Sequence, residues 1–483
     1  MSAADPTHRR RSAGWLEKLV LFHFGSLLVF TTWAFGGQAP WVRQGIAGWG
    51  AGGVLLFIVA CVRRNKSTGD QPWPALRYLW PLWLYDLLVI ISCFNPGFKE
   101  QMIAGERSLV MANPIPWLPT AALPGLAWKE LWQFNVIVLS CFNLFLVLPG
   151  RRFVRGVLFL IGGNAVSLAV FGTFQKLAGA KGLWFGLVAS PNSRFFSTFI
   201  YHNHWGAFTL LNTAVCLALL FHALRRGGQR DLWHSPVLMG AVVTLLLAAS
   251  VPLSASRSCT VLIGLLLLGA LTHFLLRVVR RQRERHASVL LPVASIVLAA
   301  LLAATAIAWL GRGAIAQRLE QTTAQLAPGA REVTFGSRLT LYRDTWRMAS
   351  EKPWFGWGLE SYAHVFRVFN TQRTTEIVFW IPFYAEAHND WLQSLAEVGF
   401  VGTGLLALLV LLPLCAIPWR RAGSTVPRYL LTGCGLVLLY AWVEFPFANP
   451  AVMLTFCALF YCALRYAQLE LQAQREEAGS SHG

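Results

Sequence analysis

Long apolar runs separated by short charged connectors make up most of the chain. Most of these runs are close to the roughly 20 residues that a helix needs to cross a bilayer. Twelve of them predict helices over 16–35, 44–62, 78–94, 130–148, 156–175, 205–224, 236–253, 259–276, 288–310, 399–419, 429–445 and 451–466. The pattern implies an all-α polytopic membrane protein of about 12 transmembrane helices. Three connectors are long: 95–129, 176–204 and 311–398. The last separates the ninth and tenth spans and mixes both charge signs, aromatics and helical patches. It is expected to be a large, partly helical and ordered lobe, the kind of long loop that usually carries function. The organisation read from the pattern is thus transmembrane helices over 1–310 with outer loops 95–129 and 176–204. The lobe over 311–398 follows, then transmembrane helices over 399–467 and a polar, disordered cytoplasmic tail over 468–483. The first run exceeds a signal-peptide core and no small-x-small site follows it, so it is expected to remain as a span.

Composition narrows the class. Of 483 residues, 55% are hydrophobic and only 13% charged, against roughly 25% charged in soluble domains. That excludes several soluble domains, and the apolar content excludes a disordered polycation. A net charge of +19 with 21 Trp raises nucleic-acid binding, so the placement of charge decides. With the amino terminus inside, Arg63-Arg64-Asn65-Lys66, Arg151-Arg152, Arg225-Arg226, Arg420-Arg421 and the five arginines of 277–285 share the cytoplasmic side. Of the 41 basic residues, 24 then lie inside, and both termini are cytoplasmic. Basic charge reports topology here; no nucleic-acid partner is expected, and membrane lipid is the surroundings. Nine cysteines without a CxxC pattern read as small hydrophobes. A Cys93–Cys259 disulfide is not expected.

Polar residues that could carry chemistry collect in the outer segments. Ser254-Ala255-Ser256-Arg257-Ser258 precedes a span. An Arg at the positive end of a helix is electrostatically misplaced unless it binds an anion such as phosphate. A side chain reaching for lipid headgroups explains it equally well. Gly336-Ser337-Arg338 is expected to open a helix through about 350, placing Arg338 in its first turn; Pro353–Gly358 follows. Arg343 and Arg347 look like a solvated pair, and Trp354 and Trp357 are either interfacial anchors or a sugar platform. Ala387-His388-Asn389-Asp390 leads into Leu392, Glu397 and Gly399. Asn389 or Asp390 can cap the next helix, leaving His388 just outside as a usable general base. Taken alone, the motif reads more simply as a capping cluster with a bystander His. His202, Asn203 and His204 top another span. With His364 and His388 they invite a metal reading, but no ligand spacing or carboxylate cluster supports it, so no metal or cofactor is expected. Asp86 and Glu444 are acids in or near spans, either binding a cation or proton or pairing with a neighbouring helix.

The order of these motifs resembles the O-antigen ligase superfamily: Ser256-Arg257-Ser258, Ser337-Arg338 with Pro353–Gly358, then His388-Asn389 through Leu392, Glu397 and Gly399. The resemblance covers about 171–409, and the Asn203 region looks like the family's Asn-rich segment. Cys259, Thr260 and Asp390 depart from the usual pattern without removing a catalytic group. The resemblance implies a GT-C-like glycosyltransferase of the bacterial inner membrane. Such an enzyme takes a glycan from undecaprenyl (polyprenyl) diphosphate on the periplasmic face, without a nucleotide sugar or an obligatory metal. The acceptor is a hydroxyl of lipid A-core or another glycan. Arg257 and Arg338 would hold the diphosphate and His388 would act as base in an inverting displacement. Asn389, Asn203, His202 and Arg194 would line the site. A polymerase of the same superfamily is the alternative within this chemistry. A lipid-linked glycan flippase is the alternative outside it, and the absence of an internal repeat speaks against it.

Overall fold

The apolar periodicity folds as helices throughout. A computed structural model describes residues 14–67, 73–103, 106–226, 235–310, 330–372 and 383–480. Its helices are α1 (Trp15–Trp33), α2 (Pro40–Ser67), α3 (Trp73–Leu76), α4 (Trp80–Phe94), α5 (Pro124–Val147), α6 (Arg151–Leu177), α7 (His202–Arg226) and α8 (Pro236–Ser254). They continue as α9 (Arg257–Glu284), α10 (Leu290–Leu310), α11 (Ala330–Glu351), α12 (Tyr362–Phe369), α13 (Asp390–Cys415), α14 (Thr425–Tyr440) and α15 (Pro450–Ser480). Ten are long and apolar enough to cross a bilayer. The other two expected spans fall on shorter helices: α4 has 15 residues and α14 has 16, about 23 Å of helix each. Arg9, Arg10, Arg11, Arg230, Arg312, Arg318 and Arg373 lie outside the described residues.

Burial sorts the helices. α5, α7 and α15 are mostly buried and carry the main core, with Phe142, Trp205, Phe208 and Leu459 almost wholly enclosed. The most apolar stretch of α10 has no buried residue. A helix so apolar and so exposed belongs against lipid.

Three local expectations are corrected. The stretch 95–129 contains a two-stranded antiparallel hairpin, β1 (Phe98–Ile103) with β2 (Glu106–Met111), Phe98 opposite Met111. The fold is therefore not purely helical. The polar tail after 468 is helical as far as Ser480, because Leu-Glu-Leu-Gln-Ala-Gln-Arg-Glu-Glu-Ala is rich in strong helix formers. The span expected to begin at 399 is part of a longer helix that starts at Asp390, where a cap was expected, and Asn389 caps it by accepting a bond from Leu392 N.

The helices α11 and α12 have a small core of their own. Leu341, Met348 and Ala349 of α11 pack with Tyr362, Val365, Phe366 and Phe369 of α12, and with Ala122, Ala387 and Ala396. A clasp joins it to the bundle. α13 breaks at Gly399 (φ 64°, ψ −171°), a conformation open to glycine alone. The turn after α11 fills the break: Phe400 N donates to Pro353 O at 2.8 Å and Val401 N to Trp354 O at 3.1 Å. In return Trp357 N donates to Ala396 O at 3.0 Å and Gly358 N to Glu397 O at 2.7 Å. Groups freed by the kink are thus re-satisfied by the turn. A side chain at Gly399 would run into the backbone of Trp354 and Phe355.

Candidate active site

The centre of the site is a buried acid at the lobe end of the bundle. After α14 ends at Tyr440, the chain turns through 441–449 before α15. Glu444 lies in that turn with its side chain only 5% exposed. Oε1 accepts from Asn203 Nδ2 at 2.9 Å and Arg338 Nη2 at 3.2 Å. Oε2 faces His388 Nδ1 at 3.2 Å and accepts from Tyr201 OH at 3.4 Å. A carboxylate offers about four acceptor positions, and four side chains occupy them. Burial of this charge is tolerable because it is paired and bonded.

Each neighbour has a local reason for its place. His388 precedes the Asn389 cap with a left-handed backbone (φ 53°). Its carbonyl accepts from Tyr342 OH of α11 at 2.9 Å, and its ring stands edge-on to Phe445, centroids 4.8 Å apart. Asp390 staples the cap to the Glu444 turn: its N donates to Ala441 O at 2.9 Å, and its Oδ2 accepts from Phe447 N at 3.0 Å. Asn203 opens α7 and accepts from Ser256 Oγ at 2.8 Å. Gly206 makes that approach possible, because a Cβ there would meet Cys259 and Ser256.

The arginines are placed differently from expectation. α11 begins at Ala330, so Arg338 sits inside the helix and not in its first turn. Its position is set by Glu444 rather than by a helix end. Arg257 does occupy the first position of α9, one residue after Ser256, and is exposed. The Ser256 side chain makes no cap bond to that helix; its hydroxyl donates to Asn203 Oδ1 instead. Arg194 is exposed in the 176–204 loop, where its carbonyl accepts from His202 N at 3.0 Å. His202 is buried against Tyr201, and His204 Nε2 lies 3.2 Å from Phe445 O. Arg343 and Arg347 are exposed as expected. Trp357 is not an open platform: it stacks near Phe98, and its Nε1 donates to Met348 O at 2.8 Å. Asp86 pairs with a neighbouring helix, accepting from Asn135 Nδ2 at 2.8 Å. Among the described residues, no group of three or more His, Cys, Asp or Glu is placed to hold a metal.

The chemistry follows from donor and acceptor rules. An ionised Glu444 can only accept, so the bonded His388 nitrogen carries its proton and the opposite nitrogen, Nε2, can receive one. A base oriented by a carboxylate is the arrangement that activates hydroxyl nucleophiles. Burial, with Glu444 beside it, pushes the Tyr201 phenol up, so it remains a donor. Glu444 and Tyr201 are the members that sequence reading left without a role. The signal for Glu444 was the cost of an acid at a membrane end, a signal shared with the structural Asp86.

Beside this cluster, behind Asp390 and Phe447, lies a cavity of about 390 Å³ between α5, α13, α14 and α15. Leu406, Val410, Phe456 and Phe460 form its depth. Its polar lining includes Glu130, Glu360, Glu386 and Glu397 together with Arg43. Arg43 is paired with Glu130 at 2.9 Å. Burial, and then Glu360, raise the Glu386 carboxyl to about 7.

Residues 242–407 match the O-Antigen ligase family model. The match supports the O-antigen ligase superfamily and a glycosyl-transfer enzyme of the ligase or polymerase type. The matched segment contains Arg257, Arg338, His388 and Asn389, but Asn203 and Glu444 lie outside it. No curated protein matches the chain.

Proposed function

We propose that the protein transfers a glycan from a polyprenyl diphosphate to an acceptor hydroxyl at the periplasmic face of the bacterial inner membrane, as an O-antigen ligase. The observation that carries this reading is the shared carboxylate: Glu444 holds His388 at 3.2 Å and Arg338 at 3.2 Å. A proton acceptor and a fixed cation are thereby brought into one site. The acceptor hydroxyl gives its proton to His388 Nε2 as its oxygen attacks the anomeric carbon. The bond from that carbon to the diphosphate oxygen breaks, and the departing electron pair stays on the diphosphate. Arg338 and Arg257 stabilise the growing charge, as preorganised cations do in phosphate-leaving reactions. A single displacement inverts the anomeric centre. Asn203 and Tyr201 fix Glu444, and Asn389 fixes the His388 loop.

Charge separates donor from acceptor. The acid-lined cavity repels a diphosphate, so the donor phosphates belong on the Arg338 and Arg257 side. The apolar depth of the cavity suits a lipid chain, and its carboxylates suit sugar hydroxyls of the acceptor. The test is transfer in membranes containing lipid-diphosphate glycan and acceptor, with His388→Ala, Arg338→Ala or Arg257→Ala proteins. Each is expected to lose transfer while remaining folded. Full transfer by His388→Ala removes the base assignment.

A further inference from the structure

The opposite end of the bundle carries a second charged cluster, unrelated to transfer. There α7 ends, the last turns of α9 run out and α14 begins at Thr425. Arg225 directs both terminal nitrogens at Gly423 O, at 3.2 and 3.1 Å. Arg428 reaches Ala422 O at 3.3 Å. Arg277 lies over the Phe221 ring, 5.6 Å from its centroid, and Phe221 stacks on His273 and Tyr429 at 4.5 and 4.9 Å. Arg225, Arg277 and Arg428 all lie within electrostatic reach of His273, and Arg281 within reach of Arg277.

These cations have no carboxylate partner among the described residues; the ion pairs seen there lie elsewhere. Glu470 reaches this corner, but its Oε2 accepts from Ser424 N at 3.3 Å. Arg230 and Asp231 lie outside the described residues. Arg277 Nη1 is buried with no hydrogen-bond partner among the described residues. A buried donor left unmade is costly, and clustered guanidiniums repel one another. Backbone carbonyls relieve neither problem fully, since they bring no net charge. The amino end of α14 adds further positive potential at the same corner. An anion with several oxygens answers all three. Next to it, Leu265, Leu268 and Leu276 of α9 are exposed and offer an apolar strip for acyl chains.

We propose that Arg225, Arg277 and Arg428, with the amino end of α14, bind a phosphate group at the end of the bundle opposite Glu444, either as an acidic phospholipid headgroup or as free phosphate. Basic pockets between transmembrane helices recognise lipid phosphates in this way. The site stands apart from the transfer reaction, so failure of either reading leaves the other intact.

The experiment is native mass spectrometry of the full chain in detergent, titrated separately with cardiolipin, phosphatidylglycerol and phosphatidylethanolamine. A parallel thermal-shift series uses inorganic phosphate. The anionic lipids are expected to bind at least about tenfold more tightly than phosphatidylethanolamine, and each of Arg225→Gln and Arg277→Gln to weaken them about fivefold. Arg283→Gln, an exposed arginine further along α9, is the control that keeps full affinity. Arg428 is exposed, so Arg428→Gln gives the same reading should Arg277→Gln fail to fold. Stabilisation by inorganic phosphate, lost in these variants and without lipid preference, assigns the site to free phosphate. Equal binding of all three lipids with no phosphate effect overturns the proposal. So does an anionic preference that survives removal of all three arginines.

Discussion

His388 Nδ1 lies 3.2 Å from Glu444 Oε2, joining a loop that precedes one helix to a turn that follows another. The same carboxylate takes Arg338 on its other oxygen. Replacing it with an amide keeps the volume but removes the charge and turns one of the two acceptor oxygens into a donor, so His388 and the Arg338–Asn203 pair cannot both keep an acceptor. Glu444→Gln is expected to lower single-turnover transfer by about 100-fold or more, comparable to losing the orienting acid of a catalytic triad. Wild-type turnover in that variant removes Glu444 from the mechanism.

Asn203 tests the support of that carboxylate. It bridges Ser256 and Glu444 at 2.8 and 2.9 Å. Asn203→Ala leaves one lone pair of a buried acid unanswered, and a loss of about tenfold in kcat is expected from the strength of a bond to a charged group. Asn203→Asp sets a second carboxylate against the first and is expected to be worse. The two rates, measured side by side, check the order.

Gly399→Ala is a stability test. The residue needs a glycine-only conformation, and the added methyl meets the backbone of the 353–358 turn. The backbone term alone is about 1–3 kcal/mol, so a lower melting temperature and a poor folded yield are expected. Gly404 has nothing within 4 Å of an added Cβ. Gly404→Ala should melt as the wild type does.

The Glu386 carboxyl sets a pH dependence. Its value is raised from 4.5 to about 7 by burial and by Glu360, so the folded chain holds that proton more tightly than the unfolded chain. The stabilisation is complete below about pH 4.5 and is lost as pH rises through about 7. Melting temperatures in detergent should therefore fall between pH 5.5 and 8, by an amount corresponding to at most about 3 kcal/mol. Glu386→Gln should flatten the profile and raise the melting temperature at the alkaline end. An unchanged slope in that variant rules out Glu386 as its source.

What was legible in the sequence followed chemical type. Apolar runs marked the helices, and Arg257, Arg338 and His388 were visible as polar groups beside spans. Arg338 was assigned to the wrong cause, because Gly336-Ser337 reads as a helix start while α11 already runs from Ala330. Asn203 was recognised without its purpose, which depends on Ser256 and on a turn 241 residues away. Glu444 and Asp86 looked alike as costly acids near spans; only packing shows that Asp86 meets a single Asn and Glu444 four donors. The β1–β2 hairpin was missed because its strands, Phe-Lys-Glu-Gln-Met-Ile and Glu-Arg-Ser-Leu-Val-Met, have only weak alternation.

The break at Gly399 is held from both sides. The turn that follows α11 bonds Ala396 and Glu397 before it and Phe400 and Val401 after it, while Asp390 and Trp391 bond α14 and the turn beyond it. Asn203 and Arg257 lie at the starts of α7 and α9, and Glu444 in the turn after α14. Glu444 joins His388 to Arg338, bonding the first through one oxygen and the second through the other. On the proposed mechanism, a diphosphate that draws Arg338 away would leave the His388 contact in place, so that the imidazole stays aimed while the cation turns to its ligand.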